Sequence, residues 1–161
     1  MSLSIFGKVM GSDAAKLAAS LASIASATAV TVAVDQLEVE DREGLEESDH
    51  LKGPGVFFVV TGDSAQLWID AMTRVRQVVG TADCEPDQLP DGAMKAFLAT
   101  QLGQFCSQVL GSGTAVGIAL VDGGIEQLFV ASRETCLRRV ACDVVRTWDQ
   151  SPNRLYVAGS V

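Results

Sequence analysis

The sequence predicts an α+β fold made of two tandem α/β sandwiches, each an antiparallel sheet with its helices on one face. Three observations predict it. First, Val56–Val60 is a continuous apolar run suited to a strand covered on both faces, followed by Thr61-Gly62-Asp63-Ser64 and a helix-spaced stripe of Trp68, Ala71, Met72, Val75, Val78 and Val79. Second, a shift of 70 residues carries Phe58–Val60 onto Leu128–Val130, Leu67 onto Leu137, Ala71 onto Ala141, Val75 onto Val145 and Arg76 onto Arg146. Third, a shift of 86 carries Val30, Val32, Ala33 and Val34 onto Val116, Ile118, Ala119 and Leu120. The 16-residue difference between the shifts is absorbed if the acidic stretch 35–52 is an insertion in the first unit.

Composition sets the outer limits. At 161 residues, 48% hydrophobic, with a mean hydropathy of +0.26, the chain can fill a core and is not disordered as a whole. A net charge of −8 disfavours nucleic acid, which needs a clustered positive field, and anionic membrane surfaces. No apolar run is long enough to span a bilayer. The four cysteines, Cys84, Cys106, Cys136 and Cys142, form no C-x-x-C motif and read as small hydrophobes in a reducing compartment. A single histidine, His50, argues against a Cys/His zinc site and reads as a surface residue. Lys8 and Lys16 precede LAASLASIASATAV, and Ala25-Ser26-Ala27 has the small residues of a signal cleavage site. Asp13 interrupts the basic region, however, so the segment reads as a helix of a cytoplasmic protein.

In chain order, residues 2–10 read as a strand, Gly11-Ser12-Asp13 as a turn with capping residues, and 14–27 as an Ala/Ser-rich helix with Leu17, Leu21 and Ile24 as its apolar stripe. Residues 29–34 are a second strand. The acidic stretch 35–52 is expected to be a mobile, solvated loop without the ligand spacing of a calcium loop. Gly53-Pro54-Gly55 closes it and starts the next strand. In the helix that follows, Arg74 and Arg76 lie off the stripe, toward solvent, and Gly80 is its stop. This first unit spans 1–80.

Thr81 to Gly92, with two prolines and three aspartates, reads as a linker between units. The second unit, 93–161, begins with one long helix over 93–110, whose broad face carries Met94, Phe97, Leu98, Leu102, Phe105, Cys106 and Val109. A strand over 114–121, an Asp122-Gly123-Gly124 hairpin and a strand over 125–131 follow. The last helix is capped by Ser132, with Leu137, Val140, Ala141, Val144 and Trp148 on its apolar face, and residues 153–161 form a closing strand. The order β-α-β-β-α, then α-β-β-α-β, suggests two ferredoxin-like units, the second circularly permuted so that its missing first strand comes from the C-terminus.

SLSIFGKVMGSDAAKLAASLASIA resembles the first strand and Ala-rich first helix of the bacterial microcompartment shell-protein family, and GPGVFFVVTGDSAQLWIDA resembles its Gly-rich turn, third strand and second helix. With AVTVAV these cover most of residues 2–80, while 93–161 match in element order alone, in permuted form. The resemblance implies a pseudo-hexameric trimer whose central loops line a pore. It places Gly53 and Gly55 nearest that turn, with Asp122, Gly123 and Gly124 as their counterparts. The family's lysine-bearing loop is replaced here by the acidic stretch, and Leu67, Trp68 and Ile69 stand where small residues are usual. The element order is also similar to that of nitrogen-regulator-like and amino-acid-sensing domains. LATQLGQFCSQVLG resembles the long helix of the chemotaxis phosphatases, but Gln101 and Gln104 stand where that family has its catalytic Glu and Asn.

No phosphate loop, nucleophile elbow or metal-ligand cluster is present in the sequence, and Asp63, Asp70 and Asp143 read as helix caps and solvated faces rather than as catalytic acids. The expectation is therefore a non-enzymatic, self-associating assembly subunit without cofactor or metal, not bound to nucleic acid or membrane. The alternatives are a module sensing a small ligand or binding a protein partner, and a degenerate signalling phosphatase. Candidate binding residues are Gly53, Gly55, Asp122, Gly123 and Gly124.

Overall fold

Alternation along the strands sets the architecture. In β1 (Ser4–Met10), Ile5 and Val9 turn to one side of the sheet and Phe6, Lys8 and Met10 to the other. A computed structural model describes residues 3–25, 30–81, 84–150 and 152–159. Its remaining strands are β2 (Val30–Val34), β3 (Gly55–Gly62), β4 (Ala115–Val121), β5 (Gln127–Ala131) and β6 (Arg154–Gly159). They form one mixed sheet in the order β2-β3-β1-β4-β6-β5. Every neighbouring pair is antiparallel except β5–β6, which is parallel.

Two expectations change here. The halves share one sheet through the β1–β4 ladder instead of closing two sheets. And Asp122-Gly123-Gly124 is not a hairpin, because β6 lies between β4 and β5. The physical reason lies in the alternation: β1, β4 and β6 carry apolar residues on both faces, so each needs a strand on either side and cover above and below. The antiparallel run β2-β3-β1-β4 follows the split β-α-β arrangement, but it takes its fourth strand from the second half of the chain. The segments related by the 70-residue shift also occupy different places, β3 inside the sheet and β5 at its edge.

One face is covered by α1 (Ala14–Ala25), α3 (Ser64–Val79), α4 (Asp91–Leu98), α5 (Gln101–Leu110) and α6 (Arg133–Asp143). Leu17 and Leu21 of α1 are buried as expected. The side chain of Ile24 lies outside the described residues, as do Ser26 and Ala27. Asp63 caps α3, its carboxylate accepting from Gln66 N–H at 3.3 Å, and Ser132 caps α6, accepting from Thr135 N–H at 3.2 Å. Gly80 ends α3 at φ +72°.

Arg76 does not face solvent. Its Nε donates to the Val145 carbonyl at 2.6 Å, and Trp68 Nε1 donates to the Arg146 carbonyl at 2.7 Å. Two α3 side chains thus satisfy carbonyls just past the end of α6, which stops at Asp143 rather than running on to Trp148. Residues 84–92 of the expected linker pack as well: Pro86 and Leu89 are buried, and Arg138 donates to the Leu89 carbonyl at 3.4 Å.

The helix expected over 93–110 is two helices. Thr100 interrupts it, its hydroxyl donating to the Phe97 carbonyl at 2.6 Å and accepting from Gly103 N–H at 3.1 Å as the cap of α5. Gly103 permits the bend, since a Cβ there would collide with the Phe97 carbonyl. The break also leaves Leu98 exposed at the end of α4. Replacing Gly103 by Ala should therefore destabilise the protein by about 1–3 kcal/mol, measured as a lower urea midpoint, whereas Ala99→Gly on the exposed side of the same bend should cost well under half of that.

Candidate functional site

The acidic stretch is not a loop in solvent. After β2, Asp35 turns the chain at φ +59° and its N–H donates to the Phe57 carbonyl at 2.8 Å. Residues 37–51 then cross the second face of the sheet as α2 (Val39–Glu46) and a single 3₁₀ turn, Asp49–Leu51. Leu37, Leu45 and Leu51 are buried there with Phe6, Ala119, Val121, Leu155 and Val157. Gly117 makes room, because a Cβ at that position would collide with Leu51. This is a strap whose three leucines point inward and most of whose acids are exposed. Arg42 pins its start, donating from Nε to the Leu37 carbonyl at 2.7 Å with its guanidinium 5.1 Å from the Phe57 ring centroid.

Lys8 pins the other end. It sits in the middle of β1 with only 1% of its surface exposed. Its Nζ donates to the carbonyls of Leu51 and Gly53, each at 2.7 Å, lies 4.8 Å from the Phe57 centroid, and is 3.8 Å from a Glu46 carboxylate oxygen. A buried ammonium is costly unless its protons are placed, and here main-chain carbonyls, a ring face and a carboxylate surround it.

Between the strap and β5 lies an acidic groove of two adjoining cavities. One, of about 330 Å³, is lined by Phe6, Glu40, Asp41, Glu47, Gly123 and Gly124. The other, of about 270 Å³, is lined by Glu47, Ser48, Ile125, Glu126 and Leu128. Burial raises the Asp41 carboxyl above the ordinary carboxylate value, with Glu38 and Glu40 adding to the rise. Among the described residues no three His, Cys, Asp or Glu side chains converge to hold a metal ion.

The groove ends at the sheet edge. Leu128 and Val130 stand on the strap's side of β5, beside Leu155 and Val157 of β6, yet they are 53% and 43% exposed because the strap stops short of them. No strand among the described residues pairs with the outer edge of β5. The edge sequence QLFVA carries neither charge nor proline, the usual guards against added strands.

The glycines singled out from the sequence are not brought together. Gly53 accepts from Lys8, and Gly55 faces Met10, at the C-terminal end of β1. Asp122 follows Val121, which pairs with Ser4 at the other end of that strand, about 20 Å away for seven residues. There Asp122 N–H donates to Asn153 Oδ1 at 2.7 Å, and Gly123 and Gly124 line the acidic groove. Gln101 and Asp70 border a separate open groove between α3 and the α4–α5 bend, while Gln104 and His50 are exposed.

Asp143 is neither a cap nor on a solvated face. It is 5% exposed, and one oxygen accepts from Arg154 at 2.7 Å and from the Tyr156 hydroxyl while the other pairs with Arg139 at 3.2 Å. Arg154 also donates to Gln127 at 2.9 Å. Both carboxylate oxygens are thus engaged by side chains of α6 and β6, which suits a structural node tying helix to sheet. Sequence reasoning missed Lys8 and this node. The signals available were a lysine flanked by apolar residues in a strand, and an aspartate falling on the apolar side of a helix.

Compared with protein-family models, curated proteins and solved structures, the chain matches none.

Two predictions follow from the geometry. Lys8→Met leaves the Leu51 and Gly53 carbonyls without their donor, so it should cost about 1–3 kcal/mol per group left unsatisfied and speed amide exchange across 35–53 more than in the helices of the other face. Stability should also fall above about pH 9. Burial pushes the Cys136 and Cys106 thiols up from 9.0 to about 11 and about 12, and burial beside Asp143 raises the Tyr156 hydroxyl well above 10.0. The folded chain keeps protons there that the unfolded chain has released, so the urea midpoint should decline from pH 9 upward, and Cys106→Ala should flatten the decline between 9 and 12.

Proposed function

We infer that the protein is a non-enzymatic assembly subunit whose β5 edge pairs with the β5 edge of a second copy. One observation carries this reading: an uncharged edge strand, unpaired on its outer side among the described residues, with Leu128 and Val130 exposed in a chain whose net charge is −8. Antiparallel pairing about Phe129 sets Leu128 opposite the second copy's Val130, and Gln127 opposite its Ala131. Glu126 then meets Ser132 and not another Glu126. The pairing is self-complementary and continues the sheet.

The resemblance to microcompartment shell proteins also points to an assembly subunit, but with a ring of three in place of a pair. The notion of two ferredoxin-like units fits such a subunit if each contributes half of the shared sheet. Two five-residue strands and four apolar side chains form a small contact beside the ~1,200 Å² of a stable interface. The dimer should therefore dissociate in the micromolar range. Salt should strengthen it, since both copies are acidic.

Light scattering at two protein concentrations, about tenfold apart across the micromolar range, is the test. The expected result is a concentration-dependent rise toward twice the monomer mass, abolished by Val130→Lys with the circular dichroism spectrum unchanged. A strict monomer at the higher concentration overturns the reading, and a mass three times that of the monomer would favour the shell-like ring.

A further inference from the structure

Positive charge gathers at one corner of the helical face. The first turn of α1, the end of α5 and the start of α6 enclose a cavity of about 380 Å³ lined by Ser12, Lys16, Ser20, Gln108, Ser112 and Arg133. No carboxylate of the described residues lines it, although the chain as a whole is strongly acidic. Two acids are neighbours in sequence of the lining residues: Asp13 accepts from the Lys16 main-chain N–H at 2.7 Å, and Glu134 pairs with Arg138 at 3.4 Å. Among the described residues neither Lys16 nor Arg133 forms an ion pair.

The walls are held in place. Gln108 donates to the Ser20 carbonyl and, at 3.0 Å, to the Ser20 hydroxyl, which fixes α5 against α1. Arg133 donates through one nitrogen to the Ser107 carbonyl at 2.7 Å, leaving the rest of its fork for another acceptor. Gly111 lets the guanidinium lie close, since a Cβ there would come within 2.9 Å of Arg133 Cζ. The Ser112 hydroxyl donates to the Val109 carbonyl at 2.6 Å. These two bonds occupy the Ser107 and Val109 carbonyls of α5. Ser12 Oγ, by contrast, is buried and has no hydrogen-bond partner among the described residues, an unusual state for a hydroxyl.

We propose that this corner binds a small phosphate-bearing anion, with Lys16 and Arg133 supplying charge and Ser12 a hydroxyl donor. A forked guanidinium, a mobile ammonium and a waiting hydroxyl match the three acceptor oxygens of a phosphomonoester. The cavity has room for the phosphate and a short organic group. The site is independent of pairing through β5.

The test is a ¹⁵N NMR titration of the full chain with inorganic phosphate, then with glycerol 3-phosphate, with chloride at matched ionic strength as control. Saturable shifts confined to amides near Ser12, Ser112 and Arg133 are expected, with at least about tenfold weaker binding for Lys16→Gln or Arg133→Gln. Tighter binding of glycerol 3-phosphate would identify an organic phosphate as the ligand, and equal binding would identify free phosphate. Absence of saturable shifts, or equal affinity in both variants, overturns the proposal.

Discussion

The rest of the structure depends on covering both faces of the central strands. β1 presents Ile5 and Val9 to the helices and Phe6 and Met10 to the other side. β4 presents Val116, Ile118 and Leu120 to the helices and Ala119 and Val121 away from them, and β6 does the same with Tyr156 and Ala158 against Leu155 and Val157. A sheet of this kind cannot leave its second face in water, because each large apolar side chain buried contributes roughly 1.5–3 kcal/mol. The strap supplies the cover, and its three inward leucines do so beneath acids that are mostly exposed. Lys8 explains how a short, acidic, weakly helical segment stays down. It offers the strap's last carbonyls a charged donor they cannot find in the sheet.

The joint between the halves works by a similar exchange of polar groups. α3 belongs to the first half of the chain and α6 to the second, yet Trp68 and Arg76 satisfy the carbonyls of Arg146 and Val145 just beyond the end of α6. Asp143, at the close of that helix, binds Arg139 within it and Arg154 and Tyr156 on β6. This largely buried network specifies how the helix sits on the sheet, because a shift would leave the Asp143 carboxylate unpaired. It also engages Asp143, which the sequence alone places on a solvated face.

Local features were largely legible in the sequence, and long-range ones were not. The strand at 55–62, the caps Asp63 and Ser132, the stop at Gly80 and the buried Cys106 and Cys136 all follow from local periodicity and turn chemistry. The break at Thr100 was hidden because the apolar stripe runs on through it, and only the contact of Gly103 with Phe97 reveals why the chain must bend. The strap was misread because eight acids outweigh three leucines in any composition window, although Leu37, Leu45 and Leu51 were in plain view. Asp122-Gly123-Gly124 has the chemistry of a hairpin turn, but which strand lies beside β4 is settled by burial across the whole sheet.

Charge and edge exposure divide the surface into three regions with different chemistry. The strap concentrates acid over the second face, the α1–α5–α6 corner concentrates base without carboxylates, and β5 between them is neutral and unpaired. The incomplete cover over β5 is a geometric result of the strap's length. Its chain leaves β2 at one edge of the sheet and returns to β3, next to β2, and it reaches across β1 and β4 to β6 but does not cover the far edge. Whatever covers Leu128 and Val130 therefore has to come from outside residues 35–52. An uncharged strand edge beside an acidic groove selects against partners that bring more negative charge to the groove.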